Sequence, residues 1–176
     1  AAEAHDFGVS DLALWLGGVG HVNALHVDYV AGQLLTHLEG RKRIILFPAA
    51  QHDLLYLGKN KGAKGWSNDD EGWGASSRVP ASFFEGRATD LQQGQFADFA
   101  KATPMVVDLK PGETLFIPCG WAHVEQYDSP SISISSTIHP DWLEPLLKED
   151  PSWSPEGCRV WIREPCDEDG CGFAEL

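Results

Sequence analysis

Between residues 12 and 57 the apolar residues come in short runs, many alternating with polar ones at a spacing of two. That spacing marks strands with one buried face. Leu12–Leu16 reads as a strand closed by Gly17 and Gly18, followed by Val22–Tyr29. Gln33–Leu38 comes next, closed by Gly40, and then Arg41–Phe47, ended by Pro48. No helical period separates these runs, so the pattern predicts an antiparallel barrel or sandwich. Asp90–Ala102 carries Leu91, Phe96 and Phe99 among polar residues and predicts a short helix. Thr114–Ile117, Trp121–Tyr127 and Ser131–Ile138 are further strands, set off by Pro111-Gly112, Pro118 and the turn around Asp128–Pro130. Beyond Pro140 a helix is predicted over Asp141–Lys148, and Pro151, Pro155 and Pro165 leave little regularity after it.

Gly58–Pro80 breaks the strand rhythm with three lysines, five glycines and the acidic run Asp69–Glu71. A loop of this length in a compact domain is either a solvated excursion or a functional element. Trp66 and Trp73 favour a lid or substrate-binding loop, because tryptophan is ill suited to a purely solvated linker.

The whole chain has 176 residues, enough for one ordinary domain. Its formal charge of −13 makes a polyanion such as nucleic acid an unfavourable partner. No apolar run approaches the roughly 18 residues of a membrane-crossing helix, so no membrane association is expected. Cys119, Cys158, Cys166 and Cys171 match neither a disulfide framework nor a standard zinc spacing, even with His139 added. Free thiols and an intracellular setting, cytoplasmic or nuclear, are therefore expected.

The sharpest chemical feature is His26-Val27-Asp28. On a strand His26 and Asp28 share one face while Val27 points to the other. An imidazole and a carboxylate facing a barrel interior need a partner for their desolvation. One reading is a hydrogen-bonded core pair. The other is a metal site completed by His123 from a later strand, the two-His, one-carboxylate set of non-haem Fe(II) oxygenases. Ser131, Ser133, Ser135 and Thr137 alternate with mainly apolar residues, giving a small hydroxylated face that suits either a pocket wall or an exposed sheet. His21, His37 and His52, like His139, lack such context and read as structural or surface residues.

Several blocks occur in a fixed order: Trp15-Leu16-Gly17-Gly18, His26-Val27-Asp28, Gly40 to Pro48, Leu55-Tyr56, Pro111 to Pro118, and Trp121-Ala122-His123. Over about residues 12 to 138 this arrangement resembles the Jumonji-C family of Fe(II)- and 2-oxoglutarate-dependent oxygenases. It is most similar to the small hydroxylase branch typified by the asparaginyl hydroxylase that inhibits hypoxia-inducible factor. The resemblance implies a mainly β fold, a double-stranded β-helix (cupin or jelly-roll barrel) of eight core strands with short helices. Met105–Leu109 supplies the eighth strand. It divides the chain into a core over residues 1–139, with 58–80 inserted, and a C-terminal extension over 140–176. Relatives carry a region before the first barrel strand, so the sequence is expected to be an excised or minimal domain.

The same resemblance implies that His26, Asp28 and His123 hold Fe(II) and are the catalytic centre. 2-Oxoglutarate would chelate the metal, and its far carboxylate would meet Lys42. Strand alternation puts Lys42 with Ile44 and Leu46; Arg41 takes its place if the register slips by one, and a solvated strand end is the alternative. Asn23, Gln33 and Thr137 match cosubstrate or metal-neighbour positions by alignment, each replacing the usual residue. The implied reaction is hydroxylation of a protein or peptide side chain, with a small molecule as the other substrate class and demethylation as the less favoured outcome. Two alternatives remain: a cupin-like binding or scaffold module without turnover, and a cupin using another divalent metal without 2-oxoglutarate. The sequence does not predict an oligomeric state.

Overall fold

In the computed structural model the described residues are 9–28, 32–58, 74–138, 161–163 and 173–175. The strands are β1 (Val9–Gly17), β2 (His26–Asp28), β3 (Gly32–Glu39), β4 (Lys42–Phe47), β5 (Leu57–Gly58) and β6 (Gly74–Ser77). After the helical stretch come β7 (Met105–Leu109), β8 (Thr114–Pro118), β9 (Ala122–Tyr127), β10 (Ser131–Ile138), β11 (Trp161–Arg163) and β12 (Phe173–Glu175). Two antiparallel sheets form the jelly-roll: β1-β10-β3-β8, and β5-β6-β2-β9-β4-β7. Among the described residues β11 and β12 pair only with each other.

Each main sheet has two chemically distinct faces, as period-two alternation requires. In the six-stranded sheet, Val27, Phe47, Ala122 and Val124 pack with Leu25 and Leu55 into one core, which Phe84 and Phe99 join from the helical segment. The opposite face carries Ile44 and Leu46, which pack with Leu109 of the same sheet and, across the barrel, with Leu35 and Ile117. Ser131, Ser133 and Ser135 are all buried on the interior face of β10. The outer face of the four-stranded sheet is apolar and open: Leu12, Leu14 and Leu16 of β1 and Phe116 of β8 are strongly exposed.

The chain crosses from β3 in one sheet to β4 in the other through Gly40 and Arg41 alone. Gly40 has φ +89° there, and a Cβ on it would run into the carbonyl of Pro130, so only glycine makes this crossing without strain.

Four expectations need correction. Of the strand predicted over Val22–Tyr29, the described residues 22–28 are regular only at His26–Asp28, with an isolated bridge from Val22 to Gln126. The intervening backbone serves the site instead: the Asn23 N–H donates to the Glu125 carbonyl at 2.9 Å. The helix predicted over Asp90–Ala102 is an α-helix, α1 (Asp90–Gln95), then a 3-10 turn over Ala97–Lys101. A Thr89–Gln92 capping box starts α1, and Phe96, at φ −118° and ψ 43°, ends it. Gly94 weakens the segment just before that break. The predicted 58–80 loop contributes β6, which pairs with β2 in the register His26↔Ser76 and Asp28↔Gly74. Residues 59–73, with Trp66 and Trp73, lie outside the described residues, as do the predicted helix at Asp141–Lys148, His139 and three of the cysteines. Finally, Cys119 is disulfide-bonded rather than a free thiol; spacing alone carries no information on such pairing.

Candidate metal centre and its buried polar floor

β2 lies between β6 and β9, and the β2–β9 pairing sets His26 directly opposite His123. Alternation on β2 brings Asp28 onto the same interior face as His26. The two imidazole rings stand 4.2 Å apart between centroids. His26 Nε2 lies 3.7 Å from Asp28 Oδ1, and His123 Nε2 lies 3.7 Å from Asp28 Oδ2. One donor atom from each residue falls within 4.8 Å of the others.

The second nitrogen of each ring fixes its orientation. His26 Nδ1 is 2.8 Å from the Ala24 carbonyl, and His123 Nδ1 is 3.4 Å from the Trp121 carbonyl. A carbonyl only accepts, so both Nδ1 atoms donate and both Nε2 lone pairs are directed toward Asp28. Burial, with His26 beside it, lowers the His123 imidazole below its ordinary 6.5 and keeps it neutral. Neutral imidazoles and an ionised carboxylate are the donor set a first-row divalent cation takes. The His123 side chain is only 3% exposed, whereas those of His26 and Asp28 are 28% and 32% exposed. The centre is therefore walled on the β9 side and open on the β2 side.

The four other positions expected at the site divide into two groups. Gln33, at the start of β3, reaches Asp28: its Nε2 is 3.4 Å from Asp28 Oδ2, a long hydrogen bond. Thr137 sits directly across from Gln33 in the β10–β3 ladder and so shares its face. Lys42 and Asn23 meet elsewhere, on a carboxylate that the sequence reading had not singled out. Glu125 Oε2 accepts from Lys42 Nζ at 2.9 Å, from the Tyr127 hydroxyl at 2.6 Å and from Asn23 Nδ2 at 3.1 Å. His21 in turn bonds Asn23 Oδ1 at 2.7 Å.

This network is nearly dry. The Lys42 side chain is fully buried and that of Glu125 is 7% exposed. Burial lowers the Lys42 ammonium from its ordinary 10.5, with Glu125 opposing the shift. Burial pushes the Glu125 carboxyl up, but Lys42 and the Tyr127 hydroxyl outweigh it and hold it below its ordinary 4.5. Burial, and then Glu125, raises the Tyr127 phenol well above its usual value. Lys42 also sits 4.9 Å from the centre of the Tyr127 ring.

His37, expected to be structural or superficial, is wholly buried. Its Nδ1 lies 3.0 Å from Ser133 Oγ, which Lys42 Nζ also approaches at 3.5 Å, while its Nε2 has no hydrogen-bond partner among the described residues. Period-two counting from His123 reaches Glu125 and Tyr127, and counting from Gln33 reaches His37. That was the signal that could have found them.

A family model described as a cupin-like domain matches residues 3–136. HSPB1-associated protein 1 of Homo sapiens is 30% identical over 142 residues, which cover 78% of this chain and 24% of that protein. Jumonji C domain-containing protein 5 of Drosophila melanogaster is 30% identical over 128 residues, 73% of this chain and 27% of that protein. JmjC domain-containing protein F of Dictyostelium discoideum is 30% identical over 136 residues, 76% and 27% respectively. The chain thus spans about a quarter of the length of the curated relatives it matches. With a matching family model over most of the chain and relatives that carry the same domain in their names, the chain belongs to the cupin-like family of the JmjC type.

Proposed function

We propose that the chain is the core of an Fe(II)- and 2-oxoglutarate-dependent oxygenase that hydroxylates a side chain of a protein or peptide, with release of succinate and CO2. The observation that carries this reading is the convergence of two Nε2 lone pairs and one carboxylate on a single point of the barrel interior. His26, Asp28 and His123 are the proposed metal ligands. When bound, Fe(II) with 2-oxoglutarate would convert dioxygen into the oxidant for a C–H bond, which no side chain can provide, one oxygen atom leaving in succinate and the other in the hydroxylated product. The chain's own part is placement. The Ala24 and Trp121 carbonyls hold the imidazoles in their ligating tautomer, Gln33 steadies Asp28, and the serine face of β10 leaves room beside the centre.

The relatives named HSPB1-associated protein 1 are, by that name, associated with a protein, which supports a protein or peptide as substrate. The charge of −13 favours a cationic segment. The Fe(II)-loaded chain, given saturating 2-oxoglutarate in air, should release succinate even without a substrate, and His26→Ala should abolish that release. Fe(II) binding with no succinate from the wild type would refute turnover. It would favour a second reading, a cupin-like binding module, which the neutralisation of Lys42 by Glu125 also supports.

A further inference from the structure

A pocket that is to receive a dicarboxylate needs a free cation at its far end, and Lys42 is not free. Its Nζ is 2.9 Å from Glu125 Oε2, with both side chains buried in the barrel. That oxygen is also held by the Tyr127 hydroxyl and Asn23 Nδ2, so three donors from three separate positions fix one carboxylate. β9 presents His123, Glu125 and Tyr127 in succession on one face, with Leu46, Ile44 and Lys42 opposite them on β4. Glu125 therefore stands between the metal centre and the lysine, where an extended diacid would lie.

We propose that Glu125 is an internal competitor for Lys42 and thereby sets which 2-oxo acid the pocket accepts. The inference rests on the 2-oxo-acid reading of the site given above. With a divalent cation bound, Asp28, Glu125 and Lys42 leave the interior one unit positive. That charge balances a 2-oxo monoacid but falls one short of the dianion 2-oxoglutarate. Losing the Glu125 charge would restore the balance for the dianion and release the ammonium as a hydrogen-bonding partner. The Nε2 of His37, without a partner among the described residues, is a further polar atom in this interior, and His37 shares Ser133 with Lys42.

The test is calorimetric titration of the Mn(II)-loaded chain with 2-oxoglutarate and with 2-oxopentanoate, which keeps the keto-acid head and chain length but lacks the far carboxylate. The wild type should bind the two within about threefold of each other, whereas Glu125→Gln should favour 2-oxoglutarate by about tenfold or more. Glu125→Asp, which keeps the charge, should behave as the wild type. A wild-type preference for 2-oxoglutarate of about tenfold or more overturns the proposal, as does an unchanged ratio in Glu125→Gln. Should Glu125→Gln fail to fold by circular dichroism, the wild-type ratio decides alone. If Mn(II) binds but neither acid binds wild type or variants, the 2-oxo-acid reading itself fails and the competitor role falls with it.

Discussion

At the scale of single residues, the centre depends on two backbone carbonyls as much as on three side chains. Ala24 and Trp121 each take the Nδ1 proton of a histidine, leaving both Nε2 atoms ready for a cation. Removing either Asp28 or His26 as alanine should cost more than about 100-fold in Mn(II) affinity. The apo-protein's unfolding midpoint should barely move, because both side chains are partly exposed; titration and thermal denaturation check the two halves. Glu125 governs a different observable. Its carboxyl is held below the ordinary 4.5, so the unfolded chain binds the extra proton first. Its stabilising contribution is complete above 4.5 and is lost as the pH falls through the folded value. Urea titrations on the acid side should therefore show a steeper loss of stability for the wild type than for Glu125→Gln. His26 and Asp28 were legible as a pair because His-X-Asp on a strand leaves a single shared face, and His123 came with the block Trp121-Ala122-His123 of the family resemblance. Glu125 was not legible, since a charged residue in a strand pattern normally marks the solvent side, and here a lysine on the neighbouring strand brings it inward.

At the scale of elements, strand register rather than loop shape positions the chemistry. Gly17 at the end of β1 shows how tightly it is held: a Cβ there would lie inside the ring of Tyr127. Gly17→Ala should destabilise the protein by about 1–3 kcal/mol through overpacking. Coupling it with Tyr127→Ala should recover part of that loss in a double-mutant cycle read by chemical denaturation. Most strands were plain from alternation, Ser131–Ile138 with the bounds observed, whereas Met105–Leu109 came from the eight-strand count that the family resemblance implies. Two further elements were not plain. β6 is Gly-Ala-Ser-Ser, which has no apolar alternation to detect and owes its extended form to pairing with β2. The single helix read over Asp90–Ala102 has the right apolar positions, but Phe96 turns inward at the break and the following residues tighten to 3-10.

For the molecule as a whole, the two sheets are asymmetric. The outer face of the six-stranded sheet is covered by Phe84 and Phe99, while that of the four-stranded sheet leaves Leu12, Leu14, Leu16 and Phe116 in contact with solvent. An apolar face of this kind binds hydrophobic dyes. Leu14→Lys, with Leu14 63% exposed, should lower anilinonaphthalene sulfonate fluorescence and leave Mn(II) affinity unchanged. Alternation alone does not reveal this exposure, because a leucine stripe reads the same whether covered or bare.

The order β6-β2-β9-β4 puts the two strands bearing His26, Asp28 and His123 in the interior of their sheet, each bonded on both flanks. Local fraying begins at edges and termini. Amide protons of β2 and β9 should therefore be among the last to exchange with deuterated solvent, and those of β1 and β5 among the first. Repeated ligand entry and exit would then leave the backbone beneath the ion undisturbed.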